Sequence, residues 1–147
     1  MRILSLVSIW LLPFFLIAQE PVSWINSAKW ISGNTYEIHL KALISSPWHL
    51  YSQKTPISGP LPTTFHFIKN PVAVLVGSVM EKGKLIEKHE KVFGVDVMYY
   101  NNEVDFVQMV KVKGNIDTNI RGTIKFMVCN DNQCLPPKEI HFQLLLQ

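Results

Sequence analysis

Cysteine is scarce in this chain: 147 residues contain two, Cys129 and Cys134, and most familiar reactive groupings are missing altogether. The histidines His39, His49, His66, His89 and His141 form no HxxxH or HExxH pair, which excludes the helical zinc motifs. There is no glycine-rich phosphate loop, no nucleophile elbow and no paired-carboxylate constellation. The usual phosphate-binding, acyl-transfer and acid–base machineries therefore drop out. Charge of one sign is lacking too: 14 Lys and Arg stand against 11 Asp and Glu, a net +3. With no basic field and no polybasic patch, neither nucleic acid nor an anionic membrane surface is expected as a partner. Repeats and low-complexity segments are absent, and beyond the amino-terminal segment no apolar run reaches transmembrane length. A disordered chain, a multidomain enzyme and a polytopic membrane protein are all excluded.

Apolar residues are plentiful, at 48% of the chain, and the excess lies at one end. Residues 1–18, MRILSLVSIWLLPFFLIA, hold 14 apolar residues and a single charge, Arg2. A positive start, an apolar stretch and a small residue at Ala18 describe a secretory signal peptide. The uncharged run from Ile3 to Gln19 is 17 residues long and contains Pro13; a spanning helix needs about 20. A cut after Ala18 would place the bulky Leu16 at the −3 position, and an uncut leader would remain as an anchor. No cysteine follows the stretch to carry a lipid. Removing 18 of the 147 residues leaves 129, one domain over residues 19–147, and losing Arg2 lowers the net charge from +3 to +2. Export to an oxidising compartment makes a two-cysteine count meaningful.

The mature region reads as β-strands. In Asn34–Ile44, Tyr36, Ile38, Leu40, Ala42 and Ile44 alternate with Glu37, His39 and Lys41, the period of a half-buried strand. Phe65 and Phe67 alternate, and a Val-rich run follows Pro71. Val95–Tyr100 and Val104–Val112 flank Asn101-Asn102-Glu103, a hairpin signal. Thr123–Cys129 puts Ile124, Phe126 and Val128 on one face, and Glu139–Leu146 aligns Ile140, Phe142, Leu144 and Leu146. Glycine and proline break the chain between these runs, and helical spacing is missing outside the leader. About seven or eight short strands predict an all-β fold, an immunoglobulin-like antiparallel β-sandwich, with a small closed barrel as second choice. Pro47–Gly59 and Glu81–Gly94 read as long irregular stretches, which in a sandwich gather at its ends.

Chemistry concentrates in Phe126–Lys138, FMVCNDNQCLPPK. Cys129 is expected to end one strand and Cys134 to begin the next, with Asn130–Gln133 as the turn. Cross-hairpin neighbours lie about 4.5–5.5 Å apart at Cα, so the two sulfurs can bridge. Alternation places Cys129 away from Ile124, Phe126 and Val128, which argues against simple burial. Pro136 and Pro137 lack amide donors and mark an edge. A bridge closing so small a loop gives roughly 2 kcal/mol, against about 4.7 for a loop of a hundred residues. A structural staple and a bond that is made and broken both fit these residues. A copper or zinc site from Cys129, Cys134 and a histidine is the weakest reading. Trp48-His49-Leu50-Tyr51 is either a core strand or an aromatic wall around a reactive bond. Phe93, in the charged run Glu87–Gly94, is either a loop anchor or part of a lid.

Taken together, these residues resemble the amino-terminal periplasmic domain of the thiol:disulfide interchange protein DsbD. The resemblance runs from Pro21-Val22-Ser23-Trp24 through Trp48-His49-Leu50-Tyr51, Gly59-Pro60-Leu61-Pro62-Thr63 and His89–Gly94 to the cysteine pair and its Leu135-Pro136-Pro137 tail. It implies an immunoglobulin-like sandwich that relays reducing equivalents in the periplasm through Cys129 and Cys134, with no cofactor besides that pair. Cys134 would form the mixed disulfide with partners and Cys129 would resolve it. Val92, Phe93 and Gly94 would be a lid, and His49 and Tyr51 the aromatic wall, with His49 at a position often aromatic. The implied donor is a thioredoxin-like reductase domain or a membrane electron carrier. The implied acceptors are exported thioredoxin-fold proteins of the disulfide isomerase or cytochrome c maturation type. The lid is shorter than in the family, and the cysteine spacing is one residue less than in some members. The sequence stops at Gln147, before the family's membrane and carboxy-terminal thioredoxin domains, so a stand-alone copy supplied in trans is expected. The competing class is a non-catalytic β-sandwich interaction module with a structural disulfide.

Overall fold

Alternation in Thr35–Ile44 becomes a strand whose Ile38, Leu40, Ala42 and Ile44 are buried, and the remaining architecture is built around it. The computed structural model describes residues 20–147, so the leader and its cut site lie outside the described residues. Eleven strands form: β1 Val22–Ser32, β2 Thr35–Ile44, β3 His49–Tyr51, β4 Thr64–Phe67, β5 Ala73–Lys82, β6 Ile86–Glu90, β7 Val95–Tyr100, β8 Glu103–Val112, β9 Thr118–Phe126, β10 Val128–Cys129 and β11 Lys138–Leu146. They make three antiparallel sheets, β1-β2-β8-β5, β10-β3-β7-β6 and β11-β9-β4. No helix forms among the described residues.

The main core lies between the layers and takes Ile38, Leu40 and Ala42 from β2, Val104, Phe106 and Val110 from β8, and Ile120, Ile124 and Phe126 from β9. Trp24 closes one side, with ring centroids 5.9 Å from Phe106 and 5.4 Å from Phe126. Burying each such side chain contributes about 1.5–3 kcal/mol, which is why the alternating faces dictate the layering.

Several sequence expectations need correction. Among the described residues the count is eleven rather than seven or eight, because β1 joins the expected strands and the two stretches read as irregular contain β3 and β6. β1 is an edge strand whose outer residues are mostly exposed, so its apolar alternation is diluted. β3 and β6 are too short for a clear period. The run Thr123–Cys129 is also not one strand. It ends at Phe126, passes Met127, and resumes as β10, which pairs with β3 in another sheet. Cys134 starts no strand; it makes an isolated bridge with Cys129, and β11 begins at Lys138.

One carboxylate fastens the small sheet, β10-β3-β7-β6 with its short strands, to the sheet β1-β2-β8-β5. Glu81, near the end of β5, accepts hydrogen bonds from Ser52 Oγ at 2.7 Å, the Gln53 amide at 2.7 Å and the Tyr100 phenol at 2.8 Å. Burial raises the Tyr100 phenol pKa, and its bond to the Glu81 carboxylate and that charge raise it further. Ser52 and Tyr100 are buried, so losing the acceptor would leave donors without partners. Glu81→Ala is expected to cost about 3 kcal/mol in urea unfolding and Glu81→Gln distinctly less. Equal losses for the two would mean that the acceptor oxygen is not what matters.

Candidate functional site: the disulfide cavity

In the four-stranded sheet β10-β3-β7-β6, strands β10, β3 and β7 bury residues on both faces. Val128, Leu50 and Tyr100 point into the main core. On the other face Cys129, Tyr51 and Val97 form a second, smaller cluster with Val95, Tyr99 and Met127. Register explains the membership: Cys129 pairs with His49, and Tyr51 with Tyr99, so these side chains share a face. In Trp48-His49-Leu50-Tyr51, Leu50 lies in the core and His49 and Tyr51 lie beside the cysteines.

Cys129 and Cys134 are joined in a disulfide with Cα atoms 4.0 Å apart. The turn between them is locked by Asn130, whose Oδ1 accepts from the Asn132 and Gln133 amides at 2.9 and 2.8 Å. This is the local bonding that makes Asn a turn residue. The two halves of the bridge differ sharply, since Cys129 is 2% exposed while Cys134 is an exposed residue. Burial of Cys129 overturns the expectation drawn from alternation. The direction away from Val128 was right, but that face is not solvent; the second cluster covers it.

Opposite the bridge stands the β6–β7 turn. The amides of Phe93 and Gly94 donate to the Glu90 carbonyl at 3.2 and 2.8 Å. Gly94 has φ +66°, a left-handed conformation that only glycine adopts cheaply. Val92 is 84% exposed and Phe93 is half-buried. Gly59 lies behind the turn, where an added Cβ would come 3.8 Å from Phe93 Cβ and 2.9 Å from Val95. Between turn and bridge is a cavity of about 480 Å³ lined by His49, Tyr51, Val92, Phe93, Cys129 and Cys134, with Lys88, Glu90 and residues Asn130–Gln133. The structure therefore gathers every candidate side chain named from the sequence except Gly94, which shapes the turn rather than the lining.

Lys88, Glu90, Tyr99 and Asp131 were missed as site residues. Their signal is register, since Lys88 pairs with Val97 and Glu90 with Val95, and no sequence pattern carries that across two hairpins. His49 makes a 3.2 Å hydrogen bond through Nε2 to the Tyr51 phenol, and its ring lies over Tyr99 with centroids 4.4 Å apart. Burial lowers the His49 pKa from its ordinary value. Asp131 acts against that shift, Lys88 adds to it and Glu90 opposes it. The Tyr51 phenol is pushed up to about 12, by burial first, then by the Glu90 charge and Tyr99.

A profile described as "Thiol:disulfide interchange protein DsbD, N-terminal" matches residues 16–146. The chain belongs to the DsbD N-terminal family. No curated protein matches its sequence. Among solved structures, the N-terminal periplasmic domain of ScsB from Proteus mirabilis aligns with TM-score 0.63 at 16% identity. That alignment covers 86% of this chain but 47% of the ScsB domain, so the chain spans about half of that relative. The Neisseria meningitidis DsbD N-terminal domain in its reduced form aligns with TM-score 0.54 at 16% identity, over 82% of each chain. The same organism's complex of DsbD and PilB N-terminal domains aligns with TM-score 0.51 at 13% identity, over 82% of this chain and 80% of that one. At these identities the likeness is one of fold, and it makes this DsbD N-terminal family member an immunoglobulin-like sandwich bearing a disulfide on its small sheet.

Proposed function

We propose that this chain is an exported thiol–disulfide exchange domain. It would take reducing equivalents from a thioredoxin-like reductase domain or membrane electron carrier in the periplasm and pass them to exported thioredoxin-fold proteins. The observation that carries this reading is the asymmetry of the bridge: one sulfur belongs to an exposed residue, the other to a buried one, and both residues line one cavity. Exchange proceeds by in-line attack of a thiolate on one sulfur, so one accessible sulfur and one sheltered sulfur set the order of events. Cys134 would exchange with partners and Cys129 would close the intramolecular bond. The redox chemistry resides wholly in these two side chains. A DsbD N-terminal domain from Neisseria meningitidis is known in complex with a PilB N-terminal domain, which supports partner docking as the way the cavity is reached.

Two measurements test the proposal. The reduction potential of the Cys129–Cys134 bond is expected between about −180 and −270 mV, the range of exchangers, whereas a structural bridge lies below about −300 mV. In periplasmic extracts, Cys129→Ala is expected to accumulate a mixed disulfide through Cys134 with a thioredoxin-fold protein. A potential below the exchanger range together with an empty trap would leave a non-catalytic module held by a staple.

A further inference from the structure

His49 lines two cavities. One is the disulfide cavity; the other, about 370 Å³, is lined by Ser46, Trp48, Tyr99, Asn101, Asn102 and Asp131 among others. His49 and Asp131 are the residues common to both linings. His49 is also the cross-strand partner of Cys129, an arrangement that brings Cβ atoms to about 4.5–5.5 Å on one face. Cys129 sits among Tyr51, Val97 and Met127, where an isolated thiolate is poorly solvated, so its attack needs a base beside it. Five ionisable side chains surround His49: Tyr51 on its own strand, Tyr99 on β7, Lys88 and Glu90 on β6, and Asp131 on the turn. Burial pushes the Tyr51 phenol up to about 12, so it keeps its proton at neutral pH. Imidazole is the side chain whose ordinary pKa lies nearest neutrality, which suits it to take and return a proton there.

We infer that His49 is the acid–base partner of Cys129, moving a proton between that sulfur and the polar cavity behind it. This deepens the exchange reading and rests on it. In the donating direction the Cys134 thiolate attacks a partner disulfide, forming one mixed S–S bond and releasing the other partner sulfur as a thiolate. His49, with Nε2–H donated to the Tyr51 phenol, accepts the Cys129 proton at Nδ1. Cys129 then attacks Cys134 Sγ: the Cys129–Cys134 bond forms, the mixed bond breaks, and the second partner sulfur leaves with the electron pair. Two electrons have passed to the partner, and His49 returns its proton to water in the second cavity. Run backwards, the imidazolium protonates Cys129 as it leaves.

Reaction of the reduced protein with dithiobis-nitrobenzoate isolates the step. The first nitrothiobenzoate released reports Cys134 and serves as an internal reference; the second reports closure by Cys129. In the wild type, the rise of the second phase is expected to have its midpoint below about pH 6.5, because burial lowers the His49 pKa from its ordinary value. His49→Phe, which keeps an aromatic ring, is expected to slow the second phase relative to the first about a hundredfold near pH 7, the low end of general-base effects. Its rise should move into the thiol range above about pH 8. Added imidazole should restore the second phase of His49→Ala. A second phase unchanged by His49→Phe overturns the inference, as does failure of imidazole rescue in a folded His49→Ala. So does a wild-type inflection of the second phase that persists unshifted in His49→Phe. The reagent is artificial, so the trapping experiment can fail while this one succeeds, and the reverse.

Discussion

In the reduced protein, Cys134 is expected to alkylate with iodoacetamide about a hundredfold faster than Cys129, as read by peptide mass spectrometry after timed quenching. Cys134 is exposed, whereas Cys129 at 2% exposure reacts only when its cover opens. Local openings cost from near zero to several kcal/mol, and each 1.4 kcal/mol is a factor of ten in rate. Phe93 is the large apolar group of the β6–β7 turn facing the cavity, half-buried there. Half the burial of a phenylalanine contributes about 1–1.5 kcal/mol, so Phe93→Ala is expected to speed alkylation of Cys129 about tenfold. Exposed Val92 offers the control, since Val92→Ala removes little burial and should change the rate little. Equal reactivity of the two cysteines would remove the basis for their assigned roles, and faster alkylation of Cys129 would reverse them. An unchanged rate in Phe93→Ala would make that ring a loop anchor and not a lid.

The sequence discloses this site unevenly, for a physical reason. Period-two alternation reveals strands with one face in oil and one in water, and Thr35–Ile44, Thr118–Phe126 and Lys138–Leu146 are of that kind. The sheet β10-β3-β7-β6 is different because β10, β3 and β7 carry buried residues on both faces, one in the main core and the other in the second cluster. Alternation there distinguishes two interiors instead of inside from outside, which is how Cys129 could be assigned the correct face and the wrong exposure. The cysteines, His49, Tyr51 and Phe93 were legible as chemistry because each is conspicuous against its neighbours. Lys88, Glu90, Tyr99 and Asp131 join them only through pairing across β3, β6 and β7 and through the bridge turn. Charged residues in a turn-rich stretch look like any solvated loop until that register is known.

The largest stability effect is expected far from the cavity, at Gly122→Ala. This glycine sits on β9 between its two neighbours, paired with Phe67 of β4 on one side and Phe142 of β11 on the other. A Cβ there would press into the His66 carbonyl oxygen and come 2.6 Å from the Phe142 ring. The ring can shift; the carbonyl belongs to the backbone of β4 and moves only if the β4–β9 pairing opens. Overpacking of side chains costs about 1–3 kcal/mol, and a backbone clash should exceed that, so a loss of roughly 3 kcal/mol or more is expected. For a domain of this size that corresponds to a midpoint on the order of 10–20 °C lower in a calorimetric scan. Combining Gly122→Ala with Phe142→Leu separates the two obstacles, because the smaller side chain relieves the ring contact alone. The double variant should recover only a minor share, and full recovery would show that β4 yields easily. Because β9 continues through Met127 into β10, loosening it should also unsettle Cys129, and the reduced double variant should alkylate there faster than the wild type.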